Sequence, residues 1–414
     1  MMQTAKRTIA GAALAALMCA AAVAAEPAWP QWRGPNRDGK SPDTGLLKTW
    51  PRGGPKLIWT ATGIGSGFST LTMQDGLMYT TGIIGRQLKI TALDMDGKQK
   101  WQVTHGPGWT GSHPGSRAVP TIDGDSIYLL SGRGDLRQYN RTTGAPGWTV
   151  SLVKNFGGRT PRWGYAESVL IDGEKLICTP GGSNVMVALN KTTGKTIWKS
   201  TGFSAPAGYA SAIAFEVGGI RQYANLTAKA LCAFEADTGK FLWRYTRPAG
   251  RVANCPDPIF QDDRVFCASG YRVGGGLVKL DVAGKNVTAT EVWDTRHMVN
   301  HHGGYVIVDG AIYGYSDSDR GWTCLDFKTG KMNWKGGGVG KGSILYADGM
   351  LYCYGEGGGN IALVKATPEK YEEAGRFKVP SGGGGPYWAH PVVCGGRMYL
   401  RHADHLYAYD VKAK

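Results

Sequence analysis

After its first 25 residues, the sequence has no apolar run of the roughly 18 residues that a membrane-spanning helix needs. It has no CxxC pair, no adjacent cysteines and no CxxCH haem-attachment motif. It also lacks a P-loop, a G-x-S-x-G nucleophile elbow and a G-x-G-x-x-G loop in a strand–helix context. These absences argue against a helical membrane protein, a covalently attached haem and the common nucleotide-binding and hydrolase folds.

The first 25 residues have the pattern of a secretory signal peptide. Lys6 and Arg7 precede an apolar stretch over residues 9–23, and small residues at 23–25 suit cleavage before Glu26. We therefore expect export to the periplasm or the extracellular space. Residues 26–54 then form an N-terminal extension, and residues 55–414 form a single domain.

The net charge and the cysteines of this chain indicate its compartment and the kind of partner it suits. The formal net charge is +15 and falls by two when the leader is removed. An exported basic protein suits an acidic small molecule, an acidic glycan or a cell-envelope protein, and we expect no nucleic acid and a monomer. Seven of the eight cysteines follow the leader, several within apolar β-like runs, which indicates buried thiols rather than a disulfide framework.

An aromatic repeat organises the whole chain. Tryptophan recurs at intervals of 41 to 50 residues, and Phe377 continues the series. A glycine turn lies four residues before most of these aromatics, and an Asp-Gly or Gly-Gly turn lies further upstream. Each period thus holds about four short strands, which is the content of one propeller blade. The repeated positions are Trp59, Trp101, Trp148, Trp198, Trp243, Trp293, Trp334 and Phe377.

The repeat predicts an all-β fold, an eight-bladed β-propeller. Seven blades end at Trp101 to Phe377, and an eighth starts near Pro380 but stops after its third strand, residues 406–409. The segment 56–59 carries a repeat tryptophan with no blade before it, so we expect it to close the last blade. The turns before the last strands of blades five and seven depart from the pattern.

The repeat resembles the PQQ-like propeller repeat, on the three segments 188–198, 233–243 and 324–334, each with Thr-Gly-Lys before the tryptophan. Quinoprotein alcohol dehydrogenases and BamB-like exported proteins share that repeat. The segments 29–39 and 300–304 look like a subgroup often labelled polyvinyl-alcohol dehydrogenase or BamB-like. The resemblance specifies a fold, whereas function depends on the site.

The loops that enter each blade carry an unusual set of aromatic, basic and polar residues. Equal phase in a closed radial repeat implies equal height, so we expect these side chains to meet at one mouth of the central channel. Stacking faces, an arginine fork and a carboxylate would suit an oriented acidic ligand. The predicted ligand-binding residues are Arg162, Trp163, Tyr165, Glu167, Asn254, His301, His302, Trp388 and His390.

Two functions remain open from the sequence. Adjacent His301 and His302 lack metal-ligand spacing, so we expect no metal. The resemblance implies that Glu167 and Asn254 could hold calcium and PQQ, but the next loop has Asn300-His301-His302 instead of a carboxylate base. We favour a non-catalytic ligand- or protein-binding scaffold without a cofactor. The alternative is a PQQ- and calcium-dependent alcohol dehydrogenase of the polyvinyl-alcohol type.

Overall fold

The computed structural model describes residues 27–413, and the predicted signal peptide lies outside them. Eight antiparallel sheets of four strands form a propeller ring, which confirms the predicted fold class and blade number. Each sheet is a meander of consecutive strands except the last, and a short extra strand joins the seventh.

The elements of the N-terminal segment and of blades one to three are β1 Lys40–Ser41, β2 Lys56–Ala61, β3 Leu71–Gln74, β4 Leu77–Ile84, β5 Gln87–Asp94, β6 Gln99–Pro107, β7 Thr121–Asp123, β8 Ser126–Leu130, β9 Asp135–Asn140, β10 Pro146–Ser151, α1 Leu152–Phe156, β11 Leu170–Asp172, β12 Lys175–Cys178, β13 Val187–Asn190 and β14 Thr196–Lys199. Those of blades four to six are β15 Ile213–Val217, β16 Ile220–Leu226, β17 Leu231–Glu235, β18 Phe241–Tyr245, β19 Ile259–Gln261, β20 Arg264–Ser269, β21 Gly274–Ala283, β22 Asn286–Thr295, β23 Tyr305–Val308, β24 Ala311–Ser316, β25 Gly321–Asp326 and β26 Met332–Gly336. Those of blades seven and eight are β27 Gly342–Ala347, β28 Met350–Gly355, β29 Asn360–Lys365, β30 Glu373–Lys378, β31 Val392–Cys394, β32 Arg397–His402 and β33 His405–Asp410.

The core lies between neighbouring blades. Inner strands are buried on both faces, as in β24 and β28, because each sheet is covered by a sheet on either side. The outermost strand is mostly exposed: in β14, every residue except Trp198 is exposed. The repeat tryptophan is therefore the residue through which the outer edge of a blade joins the core.

The repeat tryptophan locks each blade onto the next. The Trp198 indole N–H donates to the carbonyl of Ala236 at 3.0 Å, in the turn before the last strand of blade four. Gly239 of that turn lies against the Trp198 ring, and a Cβ there would collide with it. This close approach explains the glycine of the Thr-Gly turn. The same indole-to-carbonyl bond joins Trp59 to Met95, Trp101 to Arg141, Trp148 to Lys191, Trp293 to Phe327 and Trp334 to Thr367.

Blade five is the exception that its sequence suggested. Strands β21 and β22 form a long hairpin of ten residues per strand with a turn at Gly284, so the usual carbonyl is not presented to blade four. Trp243 donates instead to the Gln222 side chain of its own blade, at 2.7 Å.

The N-terminal strand closes the ring. Strand β2 pairs antiparallel with β33, with Lys56 opposite Asp410 and Ala61 opposite Leu406. The last blade therefore takes its outer strand from the beginning of the described chain, as the unpaired repeat tryptophan predicted.

The segment 29–41 fills the central channel. Trp29 pairs with Met73 at the end of an inner strand far from the inter-blade loops, and β1 pairs with Tyr346 and Ala347 at that same end. Between them the chain turns beneath the loops, where buried Arg33 donates to the Tyr305 carbonyl. We call this segment the channel loop. The sequence predicted an extension here but not its place on the axis.

Seven cysteines fall within residues 27–413; all are free and all but Cys255 are buried, which confirms their predicted role as buried thiols. No helix in that range has the length and apolar character needed to cross a membrane.

Candidate functional site

The loops between blades surround a cavity of about 190 Å³ at one end of the channel. Most of its walls come from the segment between the outermost strand of one blade and the innermost strand of the next. We call it the mouth cavity. It is lined by Trp32, Phe68, His113, Arg117, Trp163, Ala166, Tyr209, Ala253, Cys255, Tyr271, His301, His302, Trp388 and His390.

Aromatic rings form much of the cavity wall. Trp388 is at the centre of one group, with ring centroids 4.9 Å from Phe68, 5.1 Å from His113 and 5.4 Å from His302. Across the cavity, Trp163 lies 5.7 Å from Tyr209. Half-buried rings of this kind offer flat apolar faces to a planar or ring-shaped ligand.

The channel loop provides the floor. Trp32 packs against His390 with 4.6 Å between ring centroids, and its indole N–H donates to the buried carboxylate of Asp257. Asp257 also accepts from the backbone N–H of Ser211 at 2.6 Å. The floor ring is thus held by two blades that are distant in sequence from it.

One wall is stiffened by a carboxylate behind the rings. Glu356 Oε2 accepts from His302 Nε2 at 2.8 Å and from Trp388 Nε1 at 2.7 Å. Burial alone would raise the pKa of Glu356, but these hydrogen bonds and the charge of Lys341 lower it to about 2. The carboxylate is therefore ionised and orients both rings toward the cavity.

His301 is held as a neutral ring. Lys341 Nζ donates to His301 Nδ1 at 2.8 Å and to Asp317 at 3.2 Å, so the remaining proton of His301 sits on Nε2. Burial, with the nearby His302 and Lys341, lowers the pKa of His301 to about 3. His390 donates from Nε2 to the His302 carbonyl at 2.9 Å, and burial lowers its pKa to about 3.

Arg117 supplies a positive charge that pairs with no carboxylate in the described part of the chain. Its guanidinium donates to the carbonyls of Gly115 and His113, at 2.7 and 2.8 Å, and lies 5.5 Å from the Trp109 ring centroid. Burial lowers the pKa of Arg117 to about 10, which leaves it cationic at neutral pH. No carboxylate within the described range 27–413 comes within 4.0 Å of it.

A second cavity of about 240 Å³ adjoins the first and shares Trp163 and Tyr209 with it. Arg162 and Arg251 both line this space, so we call it the arginine annex. The Arg162 guanidinium lies 5.1 Å from the Trp163 ring centroid.

Seven of the nine predicted residues lie at this mouth. Trp163, His301, His302, Trp388 and His390 line the mouth cavity, and Arg162 and Asn254 line the annex beside them. The structure thus brings these seven together, and their role in binding stays a prediction.

Tyr165, Glu167 and Asn254 make hydrogen bonds within the protein. The Tyr165 hydroxyl donates to the Pro180 carbonyl at 2.9 Å, and buried Glu167 accepts from Thr179 N and Oγ1 at 2.7 and 3.0 Å. Asn254 borders the annex, but its amide bonds both backbone groups of Gly250. The equal positions of the loops in the repeat correctly predicted that the loops meet at the mouth. Within a loop, however, some side chains face the cavity and others face the interior.

Several cavity residues escaped the sequence reasoning. Trp32 comes from the channel loop, and Tyr271 comes from a turn within a blade, as does Glu356 behind the cavity wall. Phe68 and Tyr209 do lie in inter-blade segments, so the same phase argument could have found them.

The residues do not fit the calcium and quinone set that the repeat family implied. Glu167 lies outside the mouth cavity, bonds Thr179 and adjoins the cation of Arg37. Complete burial raises its pKa to about 7. The Asn300 amide donates to the carbonyls of Gly304 and Tyr315. Residues 27–413 contain no group of three or more His, Cys, Asp or Glu placed to hold a metal ion.

Comparison with known proteins places the fold. A family model described as "Outer membrane protein assembly factor BamB" matches residues 53–159 and 86–336. No curated protein matches the sequence.

Solved structures of two kinds are similar to this one. BamB from Moraxella catarrhalis has 15% sequence identity and a TM-score of 0.63, over 86% of this chain and 99% of that one. Quinohemoprotein alcohol dehydrogenase from Comamonas testosteroni has 12% identity and a TM-score of 0.65, over 94% and 81%. A europium-containing methanol dehydrogenase has 13% identity and a TM-score of 0.60, over 90% and 89%. Likeness at this identity shows the fold alone. The family match covers more than half of the sequence, and on that ground this chain belongs to the family of PQQ-like β-propellers represented by the outer membrane protein assembly factor BamB.

Proposed function

We propose that this propeller is an exported, non-catalytic binding scaffold whose mouth cavity holds an anionic ligand built around a ring. The observation that carries the proposal is the pairing of aromatic walls with Arg117, a cation that no described carboxylate neutralises. A charge held in a partly enclosed apolar site attracts an opposite charge more strongly than one in water.

The arrangement of polar groups supports binding rather than turnover. His301 and His390 are neutral rings fixed by Lys341 and by a backbone carbonyl, and Glu356 is an ionised carboxylate fixed by two donors. These groups set the orientation of the rings around the ligand. Export is supported by the predicted leader.

The test is a calorimetric titration of the mature protein with galacturonate and, as a neutral match, galactose. We expect galacturonate to bind at least about tenfold more tightly, because a hydrogen-bonded ion pair contributes more than 1.4 kcal/mol. Trp163→Ala and Arg117→Gln should each weaken galacturonate binding. Arg52 is an exposed arginine that does not line the cavity, so Arg52→Ala should leave binding unchanged.

The rival function is an alcohol dehydrogenase that uses PQQ and calcium, as the repeat family allows. Adding PQQ and calcium to the protein, then measuring quinone absorbance and dye-coupled alcohol oxidation, separates the two. Turnover in that assay, or equal affinity for galactose and galacturonate, would refute the proposal.

A further inference from the structure

The arginine annex extends the mouth cavity and indicates a narrower class of anionic ligand than the mouth cavity alone. We infer that the site takes an acidic oligosaccharide of at least two rings, with one ring in the mouth cavity and the acid group of the next ring in the annex. This inference rests on the proposed function of the mouth cavity.

Volume is the first argument. Pockets that enclose a small organic ligand usually measure roughly 300–1,000 Å³. The mouth cavity at about 190 Å³ and the annex at about 240 Å³ each fall below that range, whereas the two together fall within it. Because Trp163 and Tyr209 belong to both linings, one ligand can pass from one space to the other over these rings.

Charge is the second argument. Arg162 borders the annex from the loop before blade three and Arg251 from the loop before blade five, and neither has a carboxylate within 4.0 Å among residues 27–413. Both are exposed side chains that line the same space, so their two positive charges favour an anion there. The guanidinium fork matches the two oxygens of a carboxylate.

Rigidity is the third argument. Asn254 bonds the backbone N–H of Gly250 at 2.7 Å and its carbonyl at 3.0 Å, and also donates to Thr227 at 3.2 Å. These bonds fix the turn that carries Arg251. On the opposite side, the Trp163 ring supports the Arg162 guanidinium. A site whose groups are already ordered loses less conformational entropy when it binds.

The shape of the walls favours a sugar chain over an acidic peptide. The annex is lined by small or rigid residues, among them Pro161, Pro206, Ala207 and Ala228, and the shared wall is a pair of aromatic rings. Apolar ring faces pack well on the C–H face of a pyranose. An oligosaccharide with one acid group per ring would place one negative charge in the mouth cavity and one in the annex.

The experiment compares galacturonate with its disaccharide and trisaccharide by titration calorimetry, in the mature protein and in Arg162→Ala, Arg251→Ala and the double variant. The readout is the ratio of affinities between disaccharide and monosaccharide within each protein. We expect a ratio of at least about ten in the unmodified protein, falling to about one in the double variant. Arg52→Ala is the matched control and should keep the full ratio, and thermal melts should show that all variants are folded.

Each outcome has one meaning. If the monosaccharide binds but the disaccharide binds no tighter, or if the gain survives in the double variant, the annex is not a subsite and the mouth cavity proposal stands. If no uronate binds, both proposals fail. A tetraglutamate peptide that binds more tightly than the disaccharide, and loses that affinity in the double variant, would overturn the sugar assignment.

Discussion

Removal of one repeat tryptophan should destabilise the propeller at the junction between two blades. Trp198 is 7% exposed, stacks on Tyr223 at 6.2 Å and donates its indole N–H to the Ala236 carbonyl. Trp198→Ala leaves a cavity beneath Gly239, and emptying a large aromatic site costs about 3–5 kcal/mol. Trp198→Phe keeps much of the packing but loses the hydrogen bond, which should cost about 1–2 kcal/mol.

The neighbouring residue provides the control for this prediction. Ile197 lies on the same strand but is 45% exposed, so Ile197→Ala should cost less than about 1 kcal/mol. The assay is urea unfolding followed by far-UV circular dichroism, because removing a tryptophan changes the fluorescence signal itself. A midpoint for Trp198→Ala no lower than that of Ile197→Ala would refute the role of the tryptophan as an inter-blade lock.

Three further predictions concern closure, the channel and pH. Deleting the chain through Trp59 should expose the unpaired edge of β33, so size-exclusion chromatography should show aggregation; a soluble protein with a native cooperative melt would contradict the closure. Trp32→Ala removes the floor ring but leaves the rest of the channel loop, so the ring should stay folded by calorimetry while galacturonate binding weakens; unchanged binding would exclude Trp32 from the site. Burial raises the pKa of Glu167 to about 7, above the roughly 4.3 of an unfolded glutamate. The protonated Glu167 side chain therefore stabilises the folded protein fully below about pH 4.3, and this stabilisation is lost as the pH rises through 7. Glu167→Gln should therefore gain on the order of 2–4 kcal/mol relative to the unmodified protein between about pH 4.5 and pH 8 in urea unfolding, and parallel stability profiles would show that Glu167 keeps an ordinary pKa.

The sequence could predict the fold because each blade carries its own packing signal. Most repeats contain a tryptophan on an otherwise polar strand and a glycine turn that packs on the tryptophan of the preceding blade. The fold can therefore be predicted from the repeat without knowledge of long-range contacts. The last blade followed from the same signal, since β2 has the tryptophan but no preceding strands of its own.

The site was only partly predictable for reasons that are also physical. Phase along the repeat fixes the height of a loop, and it therefore placed His302 and Trp388 at the mouth. It does not fix which way each side chain points, because a loop without a regular period has no face. Gly164, with φ of +80°, lies between Trp163, which faces the cavity, and Tyr165, which faces the interior.

The floor of the cavity could not be predicted from the repeat at all. Trp32 belongs to no blade, and its contacts with Asp257 and His390 span more than half of the chain. Nothing local in the segment states that it will enter the channel.

The channel loop and β2 also set the order in which the molecule can assemble. Blades one to seven pair strands that are neighbours in sequence, and such local meanders form quickly. The pairing of Lys56 with Asp410 must wait until the end of the chain is available, and the blades must arrange themselves around the channel loop before the ring shuts. We therefore expect ring closure around the channel loop to be the slow step of folding, and until then the outer edge of β33 is unpaired and accessible to other chains.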